Sequence, residues 1–279
     1  MMAKAVRKKS QTKQELMPFS LLGDSASAFI LLSRIPVFWF QFETAKTPHF
    51  TRSLWAFPLV GLIIGLAAGC LLLPSVQSVL PPAGAAIMAL GFIALSTGAL
   101  HEDGLADLAD GFGGGQSEAE KSRIMHDSHI GSYGVLALIL VSLMRVALFF
   151  GIGGLFADNM LLVLFMAIAL ASARAQIIYQ LCFFPISPHA KLGAMLGRPT
   201  PVVVLAATAL WALPLFSLFP VIPALGATCG ALAVAMIIGR LAQRQISGLT
   251  GDVMGASIIG AEIGFMTLFY GLSGTSFSG

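Results

Sequence analysis

The sequence predicts an all-α, polytopic integral membrane bundle of about seven transmembrane helices, preceded by an N-terminal amphipathic or re-entrant helix. Three observations predict it. The 279 residues are 57% apolar and only 10% charged, where a soluble domain carries about a quarter charged residues, and the mean hydropathy is +0.87. Seven apolar stretches come close to the ~20 residues that a helix needs to cross hydrocarbon. The charges gather in short segments between those stretches. Such a composition excludes an ordinary cytosolic enzyme, a disordered chain and a nucleic-acid binder. The formal net charge of +3 says little until the charges are placed.

Residues 1–18 are polar and basic (Lys4, Arg7, Lys8, Lys9, Lys13) and read as a disordered cytoplasmic tail that helps set orientation. They lack the apolar core and small-residue site of a cleavable leader. Residues 19–279 read as a single membrane-embedded catalytic domain. Its first segment, Ser25–Phe42, has a short clean apolar part and carries Arg34 and Pro36. It is expected to lie in the interface, with Arg34 snorkelling to headgroups. Crossings are expected near Ser53–Leu73, Pro82–Leu100, Tyr133–Gly154, Asn159–Phe183, Pro201–Phe219, Pro223–Gly239 and Gly255–Leu272.

Sidedness follows from parity. If Ser25–Phe42 does not cross, the tail shares a side with Lys46, Arg52, Lys121, Arg123, Lys191, Arg198, Arg240, Arg244 and all five His (His49, His101, His126, His129, His189). The opposite loops hold one charge, Asp158. Basic loops favour the cytoplasm, so the N-terminus is expected inside and the C-terminus outside. Cys70, Cys182 and Cys229 each sit within an apolar run, which suits core or lipid-facing positions and neither a disulfide framework nor a metal cluster.

One segment breaks the apolar monotony. Glu102, Asp103, Asp107 and Asp110 fall within nine residues at the end of the second crossing. On a helix Asp103, Asp107 and Asp110 stand at i, i+4 and i+7 and share a face. Three carboxylates on one poorly solvated face repel each other, and a hard cation such as Mg²⁺, or Mn²⁺, is the usual remedy. His101 and Glu102 point off that face and suit substrate contact. The following Gly111-Phe112-Gly113-Gly114-Gly115 reads equally as a phosphate-cradling loop, through Gly113 and Gly114, or as a hinge. Lys121, Arg123, His126, Ser128 and His129 then supply donors, and Asp127 a further acid. Arg123 and Asp127, at i and i+4, also suit a local ion pair. Carboxylates for a metal beside bases for phosphate are the recurring parts of phosphoryl transfer. Arg145, Arg174 and Glu262 lie inside crossings, where charge is costly, so pairing with one another or a polar cavity is expected. Asp252, between glycines before the last crossing, lies on the side of the acids.

At these residues the chain resembles the cobalamin synthase family, also called adenosylcobinamide-GDP ribazoletransferase. The resemblance rests on T-G-A-L-H-E-D-G-L-A-D-L-A-D-G (Thr97–Gly111) and I-M-H-D-S-H-I-G-S-Y-G (Ile124–Gly134). S-R-I-P (Ser33–Pro36), F-P-L-V-G (Phe57–Gly61) and T-G-D-V-M-G-A (Thr250–Ala256), with Glu262 beyond, support it. It covers nearly the whole chain from about Ser25. His126 and His129 depart from the family pattern, where Lys or Arg and Arg are usual, so phosphate affinity at these positions would follow His protonation.

The resemblance implies a Mg²⁺-dependent membrane enzyme that joins adenosylcobinamide-GDP to α-ribazole or its 5′-phosphate. A ribose hydroxyl attacks the phosphorus on the cobinamide side, and GMP leaves. In this scheme Asp103, Asp107 and Asp110 hold the metal, and Arg123 with Lys121 or His126 holds equatorial charge. Asp127 or Asp110 takes the hydroxyl proton, and His101, Glu102, Gly113, Gly114, Ser128, His129 and Asp252 contact substrate. The implied partners are these two small molecules, the lipid bilayer, and a second copy or other corrinoid-pathway enzymes, with no nucleic acid. Three alternatives share parts of the pattern: a prenyltransferase-like enzyme, a CDP-alcohol phosphotransferase-like enzyme, and a divalent cation transporter.

Overall fold

The computed structural model describes residues 20–38, 50–188, 190 and 193–274. The basic tail, Lys46, His49, His189, Lys191 and the C-terminal Gly279 lie outside the described residues. Among the described residues there are ten helices of eight or more residues: α1 (Leu21–Leu32), α2 (Phe57–Cys70), α3 (Pro82–Thr97), α4 (Leu100–Gly114), α5 (Glu118–Met125), α6 (Ser132–Gly153), α7 (Asn159–Phe183), α8 (Pro201–Leu218), α9 (Val221–Ile246) and α10 (Gly251–Ser273). The starts follow local chemistry. Ser20, Ser117, Asp158 and Thr250 cap α1, α5, α7 and α10 through backbone N–H groups of the first turn. Proline opens α2, α3 and α8, where its missing N–H costs nothing.

Six helices are long and apolar enough to cross a membrane: α2 with its preceding turn (Phe50–Cys70), α6, α7, α8, α9 and α10. The 16-residue α3 and the α4 that follows it after a sharp bend pass the same test only as a pair, which makes up to seven, as the sequence indicates. By contrast, α1 is only 12 residues, too short to cross. It does not lie free in the interface. Its buried Asp24 accepts from Arg52 Nε (2.7 Å) and from Trp55 Nε1 (3.3 Å), which pins α1 to the turn before α2. Arg34 is exposed, as expected, and is also anchored at its backbone. Its N–H donates to Ser96 O (2.7 Å), and its side chain lies across Gly98.

The centre of the bundle is α7, buried along nearly its whole length, whereas α6 and α8 turn one apolar face outward. In lipid the hydrophobic effect does not drive helices together, so close van der Waals contact must. Gly61, Gly65 and Gly69 on α2 provide it: a Cβ at Gly65 would stand 2.6 Å from Ala167 Cα, and one at Gly69 2.8 Å from Val163 Cα. Gly230 and Gly264 do the same between α9 and α10. We therefore expect Gly65→Ala to lower stability by about 1–3 kcal/mol through overpacking. Gly91→Ala, where nothing lies within 4 Å of the new methyl, should be neutral; thermal melting in detergent compares the two.

Successive crossings alternate in direction, so the bundle has two unlike ends. One end is closed by aromatic packing, with Phe165 and Phe269 centroids 4.4 Å apart and Phe156 and Phe219 against them. The other carries α4, α5 and the loop before α10, where Leu249 N–H donates to Pro185 O (2.9 Å) and Ser187 N–H to Leu249 O (3.0 Å). Cys70, Cys182 and Cys229 are free and exposed on the outer surface.

Candidate active site

The site is built on a corner. Gly98 (φ 66°) and Ala99 (φ 56°) are both left-handed, and α4 leaves α3 at 89°. At Ala99 this conformation is strained; at Gly98 any Cβ would meet the Arg34 side chain. Because of the turn, α4 does not continue along α3 but runs across the end of the bundle, packed against α10, α6 and α5. Gly104 sets its closest approach: a Cβ there would stand 2.9 Å from the Cα and O of Asp252.

That crossing gathers acids from two helices. Asp107 is near enough to Asp103, Asp252 and Asp110 to feel their charges. Burial, then Asp103, Asp252 and Asp110, pushes its carboxyl up to about 7, and only His126 opposes this. The donors are oxygens, which suits Mg²⁺ or Mn²⁺. Among the described residues no three carboxylate, imidazole or thiol groups converge to close a metal cage by themselves. Mg²⁺ does not require one, since it commonly takes one or two carboxylates and completes its shell with water and substrate phosphate. The mutual repulsion is the observation that a dication fits.

Asp110 does something the sequence did not indicate. It is buried, and its two oxygens accept from Gly131 N–H (2.7 Å) and Gly134 N–H (2.8 Å) at the start of α6. Neither glycine could carry a Cβ without striking this carboxylate. Committed to two amides, Asp110 suits positioning of the His126–Gly134 loop rather than metal ligation or proton transfer. We expect Asp110→Ala to cost on the order of 3 kcal/mol, since it strands two N–H groups, and Asp103→Ala, at an exposed carboxylate, to cost little. Thermal melting separates them.

The glycine run is not a phosphate loop. Helix α4 continues through Gly114, and the glycines serve packing: a Cβ at Gly113 would enter the Tyr133 ring, and one at Gly111 would contact Met125. Glu102 likewise serves structure. Arg145 Nη1 donates to Glu102 Oε1 (2.8 Å), and Arg145 also grips Glu262 through Nε (2.9 Å) and Nη2 (3.3 Å). Arg174 Nη1 lies 3.8 Å from Glu262 Oε2. The pairing expected of charges inside crossings is therefore present, and it reaches α4 through Glu102.

The basic residues of α5 and the loop after it are largely open to solvent. Arg123 is exposed and makes no ion pair with Asp127. Instead Asp127 Oδ1 accepts from the backbone N–H of His129 (3.0 Å) and faces His129 Nδ1 (2.8 Å), which holds its carboxyl below the usual range. Lys121 is half-buried and Ser128 exposed. His126 Nδ1 lies 2.7 Å from Ser122 O, which makes Nδ1 the donor and leaves Nε2 free. A cavity of about 240 Å³ lies beneath, with Phe57, Ile177, Met254 and Ile258 among its apolar walls and Asp103, Asp252 and His126 among its polar ones. His101 also lines it, buried, with Nε2 lacking a partner.

The structure thus joins Asp103, Asp107, Asp252 and His126, and assigns Asp110, Glu102 and Gly113 to scaffolding. Asp252 was legible as an acid on the right side, and the glycine at 104 that admits it was the missing signal.

Comparison with known proteins gives the family. A family model described as cobalamin-5-phosphate synthase matches residues 24–270. A protein of Azorhizobium caulinodans named adenosylcobinamide-GDP ribazoletransferase is 38% identical over 251 residues, covering 88% of this chain and 94% of its own. Proteins of the same name from Bradyrhizobium diazoefficiens (42% over 206 residues, 74% of this chain and 77% of its own) and Brucella anthropi (34% over 265 residues, 91% and 97%) are similar as well. No solved structure matches. With the family pattern covering nearly all of a membrane helix bundle, the chain belongs to the cobalamin-5-phosphate synthase family, and is a transferase of cobalamin synthesis.

Proposed function

We propose that this chain performs the reaction for which its relatives are named, joining adenosylcobinamide-GDP to α-ribazole or its 5′-phosphate with release of GMP. The observation that carries this reading is the meeting of Asp103 on α4 with Asp252 on α10 at one cavity that His126 also lines, with Asp107 close enough to both acids to feel their charges. Mg²⁺, or Mn²⁺, held by these carboxylates would neutralise charge on the diphosphate. Arg123, Lys121 and His126 bind phosphate oxygens as charge redistributes toward GMP. Asp127 orients the His129 ring: an ionised carboxylate only accepts, so Nδ1 donates and Nε2 is left able to take the attacking hydroxyl's proton.

The acid end of the bundle also holds Arg52, Lys121, Arg123, Arg198, Arg240 and Arg244, which supports a site facing the cytoplasm from a bacterial inner membrane. A transport path would favour acids near mid-bilayer, and these lie at one end. The test is direct. Protein purified in detergent, given adenosylcobinamide-GDP, α-ribazole and Mg²⁺, should yield GMP and a new corrinoid in equal amounts, and a chelator should stop both. GMP without the joined corrinoid, or neither product, overturns the reading.

A further inference from the structure

The S-R-I-P segment has no role in the reaction as derived so far, yet the structure places it beside the acids. A second cavity, of about 470 Å³, lies between the end of α1 and the α3–α4 corner, and it shares Leu31, Leu100 and Asp103 with the first. Arg34 and Asp103 are the charged residues in its lining. The course of Arg34 is fixed at two points: its N–H is bonded to Ser96 O (2.7 Å), and its side chain lies over Gly98, where even a methyl group would stand 2.5 Å from Nε. Among the described residues no carboxylate pairs with its guanidinium. An exposed guanidinium beside Gly98, without a partner acid among the described residues and lining the cavity that Asp103 also lines, matches an oxyanion whose other oxygens meet a cation.

Resting on the reaction assigned above, we propose that Arg34 binds a phosphate group of the substrate's diphosphate. It approaches the acid cluster from the α1 side, as a further cation beside Arg123 of α5. The left-handed Gly98 then has a purpose: it leaves room for the arginine at the corner where α4 begins. A phospholipid headgroup offers the same chemistry, so the experiment must separate the two sources.

The full chain in detergent serves for this, as wild type, Arg34→Ala and Arg34→Gln, the last keeping a polar stem without the charge. Calorimetry with inorganic pyrophosphate and Mg²⁺ should show binding at least about tenfold weaker in both variants, the loss of one charged contact. KM for adenosylcobinamide-GDP should rise by a similar factor, while KM for α-ribazole and the melting temperature hold. Equal pyrophosphate affinity in the wild type and Arg34→Gln overturns the proposal, as does a wild type that binds no pyrophosphate. A defect confined to lost stabilisation by phosphatidylglycerol vesicles assigns Arg34 to lipid and overturns it as well. The assigned reaction fails by a different sign: a wild type that binds pyrophosphate through Arg34 yet releases no GMP supports this cavity while refuting the transfer.

Discussion

Asp107→Asn is expected to cut GMP release roughly a thousandfold, the equivalent of about 4 kcal/mol of lost transition-state stabilisation, while leaving the protein at least as stable as wild type. The two halves have one cause. Asp107 lies among Asp103, Asp252 and Asp110, whose charges together with burial raise its carboxyl to about 7. Folding a chain with clustered acids costs free energy, and removing one charge relieves part of that cost, so thermal melting should not fall. The same substitution removes a carboxylate from the cluster proposed to hold a hard dication. Asp252→Asn should behave alike, although the sequence alone placed it outside the metal set. Asp110→Ala should instead lose stability and activity together. An Asp107→Asn enzyme with near wild-type turnover, measured as GMP release at saturating Mg²⁺, would refute the metal assignment whatever its melting temperature.

That contrast marks the boundary between what was and was not legible in the sequence. The crossings were legible because hydrocarbon thickness imposes a length and a composition; the fourth expected crossing, Asn159–Phe183, coincides with α7. Pairing among Arg145, Arg174 and Glu262 was legible because unpaired charge inside a bundle is costly. The corner at Gly98–Ala99 was not, because left-handed geometry at an alanine carries no residue signal. Without that corner the face shared by Asp103, Asp107 and Asp110 looks like a complete ligand set. With it, Asp252 joins from α10 and Asp110 turns to the amides of Gly131 and Gly134. The glycines after Asp110 misled for a related reason. Glycine marks close approach of any kind, and here the neighbours are Tyr133 and Met125 rather than phosphate. The contact of Arg34 with Gly98 was not legible either, because the two are distant in sequence.

The second large effect is expected at Glu262. This residue accepts from Arg145 through both oxygens and lies 3.8 Å from Arg174, with all three buried. Glu102 supplies the other negative charge, so the four groups are formally neutral. Glu262→Ala leaves two buried guanidinium groups facing one carboxylate, and breaking a buried pair in this way costs about 3–5 kcal/mol. Activity should fall with stability, because Arg145 on α6 joins Glu262 on α10 to Glu102 on α4, one position before Asp103. A neutral exchange tests whether charge balance is the cause. Glu262→Gln with Arg174→Met removes one charge of each sign and leaves Arg145 paired with Glu102. It should regain most of the lost melting temperature and a measurable part of the turnover. Recovery in the double variant, absent from Glu262→Gln alone, identifies electrostatic compensation. Equal loss in both would show that shape, not charge, holds α4 in place at the end of the bundle.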